Sequence, residues 1–365
     1  MTAAVALHRL AALFVGQAKA PLLRSWRVED WIGLIELANR HRLVPALQLV
    51  LVGQGLQDTP SEEIRDYLGL ITGLNEERNA ALSLEIRQAV EALNRAGIEP
   101  MLLKGAAELL DARRPDGGRM VGDIDLLLPP GHETEALDAL DRLGFRRIKT
   151  YPAGAHSVAD LDRPGNCACI DLHRALLDPP FEGLLPAIDV FARAETLERD
   201  GLRYALPAPR DRVLHALVHA QILEANYYGR RLCLRAAREL LRMSPGIDWV
   251  EIEAWAGARG LRPQLEAALL SARDVFGMAW PLSRPATRTA IRHHRRACMV
   301  EMAERWDIGI GVAARIGETF AADRLAMIFG TDGSYTVKVL RQCCRLLRHR
   351  APTRLLRRLL GRRTA

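Results

Sequence analysis

No apolar run in the 365-residue sequence approaches the roughly 20 residues that a membrane-spanning helix requires. The longest, around Leu43 to Val52, is far too short. Aromatic residues are few, at 5%, although 49% of the chain is hydrophobic, enough for a sizeable core. Zinc-ligand spacing is missing among the six cysteines, Cys167, Cys169, Cys233, Cys298, Cys343 and Cys344. The Cys167-x-Cys169 pair and the vicinal Cys343-Cys344 pair are expected to be free thiols in a reducing cytosol. The stretch Met1 to Ala20 lacks a basic leading region, and His8 and Arg9 interrupt its apolar residues. It is expected to be a helix and not an export signal, and the protein to be cytoplasmic. Acidic residues are absent from Tyr335 to Ala365, which holds Lys338 and nine arginines. Taking those ten charges from the net +7 leaves −3 for the rest. The basic balance therefore belongs to the tail and does not argue for nucleic-acid binding by the whole chain.

The length suggests two or three structural units. Residues 1–97 read as helices. Asp30 is a plausible N-cap ahead of Trp31, Leu34, Ile35 and Ala38, and Pro45 suits the first turn of the next helix. A third helix is expected from about Asn75 to Ala96, ended by Gly97. The stretch Asp30–Leu51 aligns without gaps to Asp248–Leu269, with seven identities: Asp30/Asp248, Trp31/Trp249, Ala38/Ala256, Leu43/Leu261, Pro45/Pro263, Leu47/Leu265 and Leu51/Leu269. This reads as a repeated helical hairpin on either side of the middle segment.

That middle segment, residues 98–178, alternates apolar runs with breaks in the order β-α-β-α-β-β-β. After Asp178-Pro179-Pro180 the chain reads as helical again to residue 334, and residues 335–365 form a basic amphipathic tail. Arginine and leucine interleave in that tail over Val337 to Leu347 and Thr353 to Leu360. Such a tail suits docking on the fold, an anionic membrane surface or RNA.

Asp123 and Asp125 lie two residues apart in an apolar run, so a strand would project both to one face. Two adjacent carboxylates repel and are costly to bury unless a cation holds them. Oxygen-only ligands favour Mg²⁺ or Mn²⁺ over zinc. Asp171, in Ile170-Asp171-Leu172-His173, supplies a third carboxylate on a later run. Gly105, after the apolar Met101-Leu102-Leu103, is expected to open a helix and to let backbone amides approach an anion.

Leu103-Lys104-Gly105, Arg119-x-x-x-Asp123-Ile124-Asp125 and Ile170-Asp171-Leu172-His173 together resemble the uncharacterised nucleotidyltransferase family, part of the polymerase-beta-like superfamily. The likeness covers roughly residues 25 to 285. It implies an α+β fold with a small mixed-sheet palm flanked by N- and C-terminal helical regions. It implies transfer of an NMP from an NTP to an acceptor hydroxyl, with Asp123, Asp125 and Asp171 holding two divalent ions, Mg²⁺ or Mn²⁺. Asp171 would act next to the nucleophile. Most of the superfamily has Gly-Ser where this chain has Lys104-Gly105-Ala106, which leaves a serine-type phosphate contact in doubt. Lys104, Gly105 and Arg119 would then face the nucleotide. The acceptor is left open between a small molecule, a protein and RNA. His173 would line the site or pack beneath it, and His215 and His219, spaced i, i+4, read as helix histidines.

Two rivals stay open. A sugar-nucleotide glycosyltransferase using Asp123-x-Asp125 would need a larger nucleotide-binding domain upstream. A palm that keeps its carboxylates without turnover would be a binding or antitoxin-like protein.

Overall fold

The computed structural model of the chain describes residues 2–111, 118–223, 232–302, 322–330 and 332–349. It divides into two compact units. One is Ala12–Ala216 with Met243–Ile247, and the other gathers Met1–Ala11, Leu217–Arg242 and Asp248–Ala365.

Upstream of the sheet every regular element is a helix: α1 (Ala3–Phe14), α2 (Ala20–Arg24), α3 (Val28–Arg40), α4 (Val44–Gly53) and α5 (Glu62–Arg95). Described residues 2–100 therefore hold no upstream nucleotide-binding sheet of the kind a glycosyltransferase would need. Helix α5 has 34 residues, about 50 Å of helix, and starts earlier than the expected Asn75. Its buried positions step by three and four: Ile64, Leu68, Thr72, Asn75, Asn79, Leu82, Ile86, Ala89, Leu93. The two ends of this stripe are apolar and pack as core, while the middle is polar.

The sheet has seven strands in the order β3-β4-β5-β2-β1-β7-β6. These are β1 (Met101–Leu102), β2 (Ile124–Leu127), β3 (Arg146–Thr150), β4 (Ser157–Asp162), β5 (Ile170–His173), β6 (Glu195–Arg199) and β7 (Leu202–Leu206). Helix α6 (Lys104–Leu110) follows β1, and α7 (Glu133–Arg142) follows β2. The expected β-α-β-α-β-β-β order is present, and the fold is α+β with a mixed open sheet flanked in sequence by helices. One face of the sheet closes a core of Leu82, Ile86, Val90, Leu102, Ile124, Leu126, Leu140, Phe145, Leu161, Ile170 and Leu172. Each such aliphatic side chain stabilises the fold by roughly 1.5–3 kcal/mol.

The expectation of helices throughout residues 179–334 fails at β6 and β7. This hairpin joins the sheet through β7, parallel to β1, with Ala205 N donating to Pro100 O at 2.9 Å. Its turn is Asp200-Gly201, with φ of 52° and 76°, the pair of left-handed residues that a tight two-residue hairpin needs.

The repeated hairpin is present in both units. After α8 (Ala187–Ala192), α9 (Pro209–Val218) and α10 (Leu234–Met243), α11 (Trp249–Ala258) and α12 (Arg262–Phe276) echo α3 and α4. In each copy a left-handed residue makes the break, Arg42 at φ 56° and Gly260 at φ 67°. In each copy the next amide donates back across it, Leu43 N to Ala38 O and Leu261 N to Ala256 O, both at 2.8 Å. The capping aspartates are not equivalent. Asp248 caps α11, accepting from Val250 N and Glu251 N, whereas Asp30 lies one turn inside α3 and accepts from Arg27 N. A helix that begins earlier, at Val28, turned the expected cap into a first-turn carboxylate.

In the second unit, α12 packs on α13 (Arg288–Met302) through a buried histidine. Ser271 Oγ donates to Ala267 O and lies 3.2 Å from His294 Nδ1, while His294 Nε2 lies 3.0 Å from Asp274 Oδ2. Both ring nitrogens thus face acceptors, which suits the imidazolium. Burial disfavours that charge, but Asp274 and the Cys298 sulfur more than offset it and push the pKa up to about 9. Because the folded value is raised, the contribution is complete below the ordinary pKa near 6.5 and is lost as pH rises through about 9. Urea unfolding is expected to lose about 2–3 kcal/mol over that window, and His294→Gln to flatten the profile.

The segment Tyr335–His349 is a helix, as the Val337 to Leu347 pattern suggested. The second tail helix expected over Thr353 to Leu360 lies outside the described residues. No disulfide forms among the described cysteines.

Candidate functional site

Strands β2 and β5 are parallel neighbours in direct register, with Asp125 opposite Asp171 and Leu127 opposite His173. Side chains alternate along a strand. Ile124, Leu126, Ile170 and Leu172 go to the core, so Asp125, Asp171 and His173 share the other face. Asp160 of β4 pairs with Asp171, and Lys149 of β3 pairs with Asp160, so the polar row continues to the sheet edge. Tyr151 OH donates to Asp160 at 3.0 Å and accepts from Lys149 Nζ at 2.6 Å.

The polar middle of α5 holds the backbone in front of both strands. Asn75 and Asn79 donate to Arg119 O at 3.1 and 2.9 Å. Arg78 donates to Val121 O and, at 3.1 Å, to Cys167 O. Glu85 accepts from Cys167 N at 2.6 Å. Cys169 O in turn accepts from Ile124 N, which ties the entries of β2 and β5 together.

Asp125 is buried and Asp123, on the bend just before β2, is exposed. Lys104 Nζ sits 2.6 Å from Asp125 Oδ1. Burial pulls the lysine pKa down, but Asp125, then Asp123 and Asp171, outweigh it and hold it above the ordinary value. Burial would likewise raise the Asp125 carboxyl, yet Lys104 and His173 drive it well below the usual carboxylate range. His173 Nε2 lies 3.0 Å from Asp125 Oδ1 and 3.3 Å from Asp171 Oδ2, so it lines the site. Lys104 has φ 45°, a left-handed conformation that costs a non-glycine residue about 1–3 kcal/mol. That strain sits at the turn from β1 into α6.

Gly105 opens α6, as expected, and also meets a packing need. A Cβ there would lie 2.6 Å from Val121 Cγ1, and α6 has only seven residues. The glycine lets α6 pack against the strand-entry residue Val121. Gly105→Ala is expected to destabilise the protein by about 1–3 kcal/mol, and Val121→Ala to rescue it, in a denaturation double-mutant cycle. Arg119 pairs with Glu108 at 2.9 Å, both well buried, and its carbonyl is held by α5. The guanidinium thereby braces the loop onto α6.

Two residues that sequence reasoning missed, His156 and Asp160, stand at this face, and a third, Arg42, lies beside the bend that leads to Asp123. His156, just before β4, accepts through its carbonyl from Arg174 N and directs Nδ1 to Asp178. Arg42, at the strained break between α3 and α4, lies over the residue before Asp123: a Cβ on Gly122 would be 2.9 Å from its Nη1. Asp160 carried a visible signal, the alternating Asp160-Leu161-Asp162 of β4. His156 and Arg42 carried none, because only folding brings them here.

Among the described residues, the group with metal-ligand spacing is His156, Asp171 and His173, whose donor atoms lie within 4.8 Å of one another. The expected trio of aspartates is not the group so gathered, since Asp125 Oδ1 is taken by Lys104 and His173 and Asp123 is on the exposed bend. His215 and His219 do not join it either.

No curated protein and no solved structure matches the chain. The family model described as uncharacterised nucleotidyltransferase matches residues 27–277, well over half of the sequence and close to the span that the motifs suggested. The chain therefore belongs to the uncharacterised nucleotidyltransferase family, within the polymerase-beta-like superfamily.

Proposed function

We propose that this protein transfers an NMP from an NTP to an acceptor hydroxyl, with Asp123, Asp125 and Asp171 as the acidic residues of the reaction. The observation that carries this reading is the side-by-side register of Asp125 and Asp171 on the polar face. The residues fit a hard divalent ion. Asp125 Oδ2 and Asp171 Oδ1 are buried oxygens with no hydrogen-bond partner, and Asp123 is exposed two residues from Asp125. When bound, Mg²⁺ or Mn²⁺ would stabilise the charge on the attacking and leaving oxygens of an in-line displacement.

The chain's own groups do the rest. An acceptor oxygen attacks the α-phosphorus, the bond to the bridging β-phosphate oxygen breaks, and pyrophosphate leaves. Asp171, about one-fifth exposed, takes the acceptor proton. Lys104 meets phosphate charge from the carboxylate side, and Arg42 from the helical hairpin. Gly105 keeps α6 close enough for Lys104 to reach Asp125. Arg119 serves the nucleotide indirectly, by bracing the loop that leads to Asp123. The acceptor is a small molecule, a protein or an RNA end, and the basic tail suits an RNA or membrane-associated one.

One observation favours the catalytically silent reading: Asp125 Oδ1 is already engaged by Lys104 and His173. The two readings separate on incubation of wild type and Asp123→Ala/Asp125→Ala with labelled ATP, GTP, CTP and UTP in lysate. Label transfer with pyrophosphate release by wild type alone supports the transferase. Equal transfer by both removes these aspartates from the mechanism, and NTP binding without release supports the silent palm.

A further inference from the structure

We infer that His156, His173 and Asp171 form a nitrogen-rich site for a divalent transition metal, with Asp178 as its orienting carboxylate. The site shares Asp171 with the proposed reaction but does not depend on it. Three observations converge. The ligand atoms lie within 4.8 Å of one another, and the two imidazoles face each other with ring centroids 5.0 Å apart.

Second, the Asp178 carboxylate accepts from His156 Nδ1. This fixes the ring and its tautomer and leaves Nε2 with a lone pair. Histidines that ligate metals are commonly held this way, by a carboxylate on the far nitrogen.

Third, the floor of the site holds buried polar atoms with no hydrogen-bond partner: His173 Nδ1, Asp171 Oδ1, Asp125 Oδ2 and Ser157 Oγ. Ser157 is directly opposite His173 in the β4–β5 ladder. Buried polar atoms are nearly always satisfied, so a cluster of such atoms on one face is where a bound ion would find partners.

The donor set decides the metal. Mg²⁺ takes oxygen ligands and sheds its water reluctantly. Two imidazoles and one carboxylate suit Zn²⁺, Co²⁺ or Mn²⁺, and three protein ligands leave an open position. A metal here would sit at the Asp171 end of the row.

The test is titration of chelator-treated full-length protein with ZnCl₂, MnCl₂ and MgCl₂, each alone, by calorimetry. Co²⁺ visible absorption serves as a second readout. Wild type is expected to bind one Zn²⁺ more tightly than Mg²⁺ and to develop the d–d bands of nitrogen-ligated cobalt. His156→Ala, at a partly exposed position, is expected to weaken Zn²⁺ binding about 100-fold or more and to abolish the bands. Asp178→Asn should weaken it by about 10–100-fold. Circular dichroism checks that both variants fold, and His156→Gln replaces His156→Ala if it does not. Zn²⁺ bound no more tightly than Mg²⁺, or at full affinity by the folded His156 variant, as thiol binding would give, overturns the inference.

Discussion

Replacement of Asp125 by asparagine is expected to slow nucleotidyl transfer by about a thousandfold or more while leaving the fold standing. Asparagine keeps the volume and one oxygen, so a hydrogen bond from Lys104 or His173 survives. What it loses is the charge and the second carboxylate oxygen, the buried Oδ2 that has no partner in the protein. Lys104 is 27% exposed and can turn to water, so the stability cost is modest, about 1–2 kcal/mol. The measurement is kcat/KM for the NTP found to be active, with thermal unfolding as the control. Activity within tenfold of wild type would remove Asp125 from the chemistry. A chain without transfer in the wild type would shift weight to the silent reading.

Removal of the partner cation has the opposite profile. Lys104→Met is expected to cost about 3 kcal/mol of stability, because it leaves the buried Asp125 carboxylate short of its main counter-charge. The figure sits at the low end for a broken buried pair because the lysine is partly exposed. His173 still donates to Asp125, which limits the loss further. Lys104→Met/Asp125→Leu is expected to recover most of it, since replacing both partners removes the uncompensated charge. Urea midpoints of wild type, both single variants and the double variant close the cycle. A Lys104→Met protein as stable as wild type would mean that the 2.6 Å contact adds nothing to folding.

The sheet and its carboxylates were legible because alternation is a local signal. Ile124-Asp125-Leu126 and Ile170-Asp171-Leu172 each state which face is polar, and parallel register did the rest. The β6–β7 hairpin was missed although Asp200-Gly201 is a strong turn signal. Its strands are short and charged, Glu195-Thr196-Leu197-Glu198-Arg199 above all, and lack the apolar alternation that marked the others. Asp30 was misplaced by one turn because a capping residue and a first-turn carboxylate look alike in sequence. Gly105 illustrates a subtler limit: the residue was singled out for its bare backbone, but the neighbour that requires it, Val121, is sixteen positions away. His156 and Arg42 reach the site only through tertiary contacts, which no periodicity encodes.

The polar middle of α5 has a consequence for where this protein tolerates change. The two asparagines and Arg78 grip one loop, and Arg78 with Glu85 grips the other, from a single rigid rod. An extra residue inserted between Arg78 and Glu85 would twist the two grips about 100° out of phase. Arg78 and Glu85 could then no longer hold the Cys167 loop together, and the entry of β5 would shift with no acidic residue altered. The alignment of the site is thus set by a phase, counted in helical turns some forty residues before the first carboxylate.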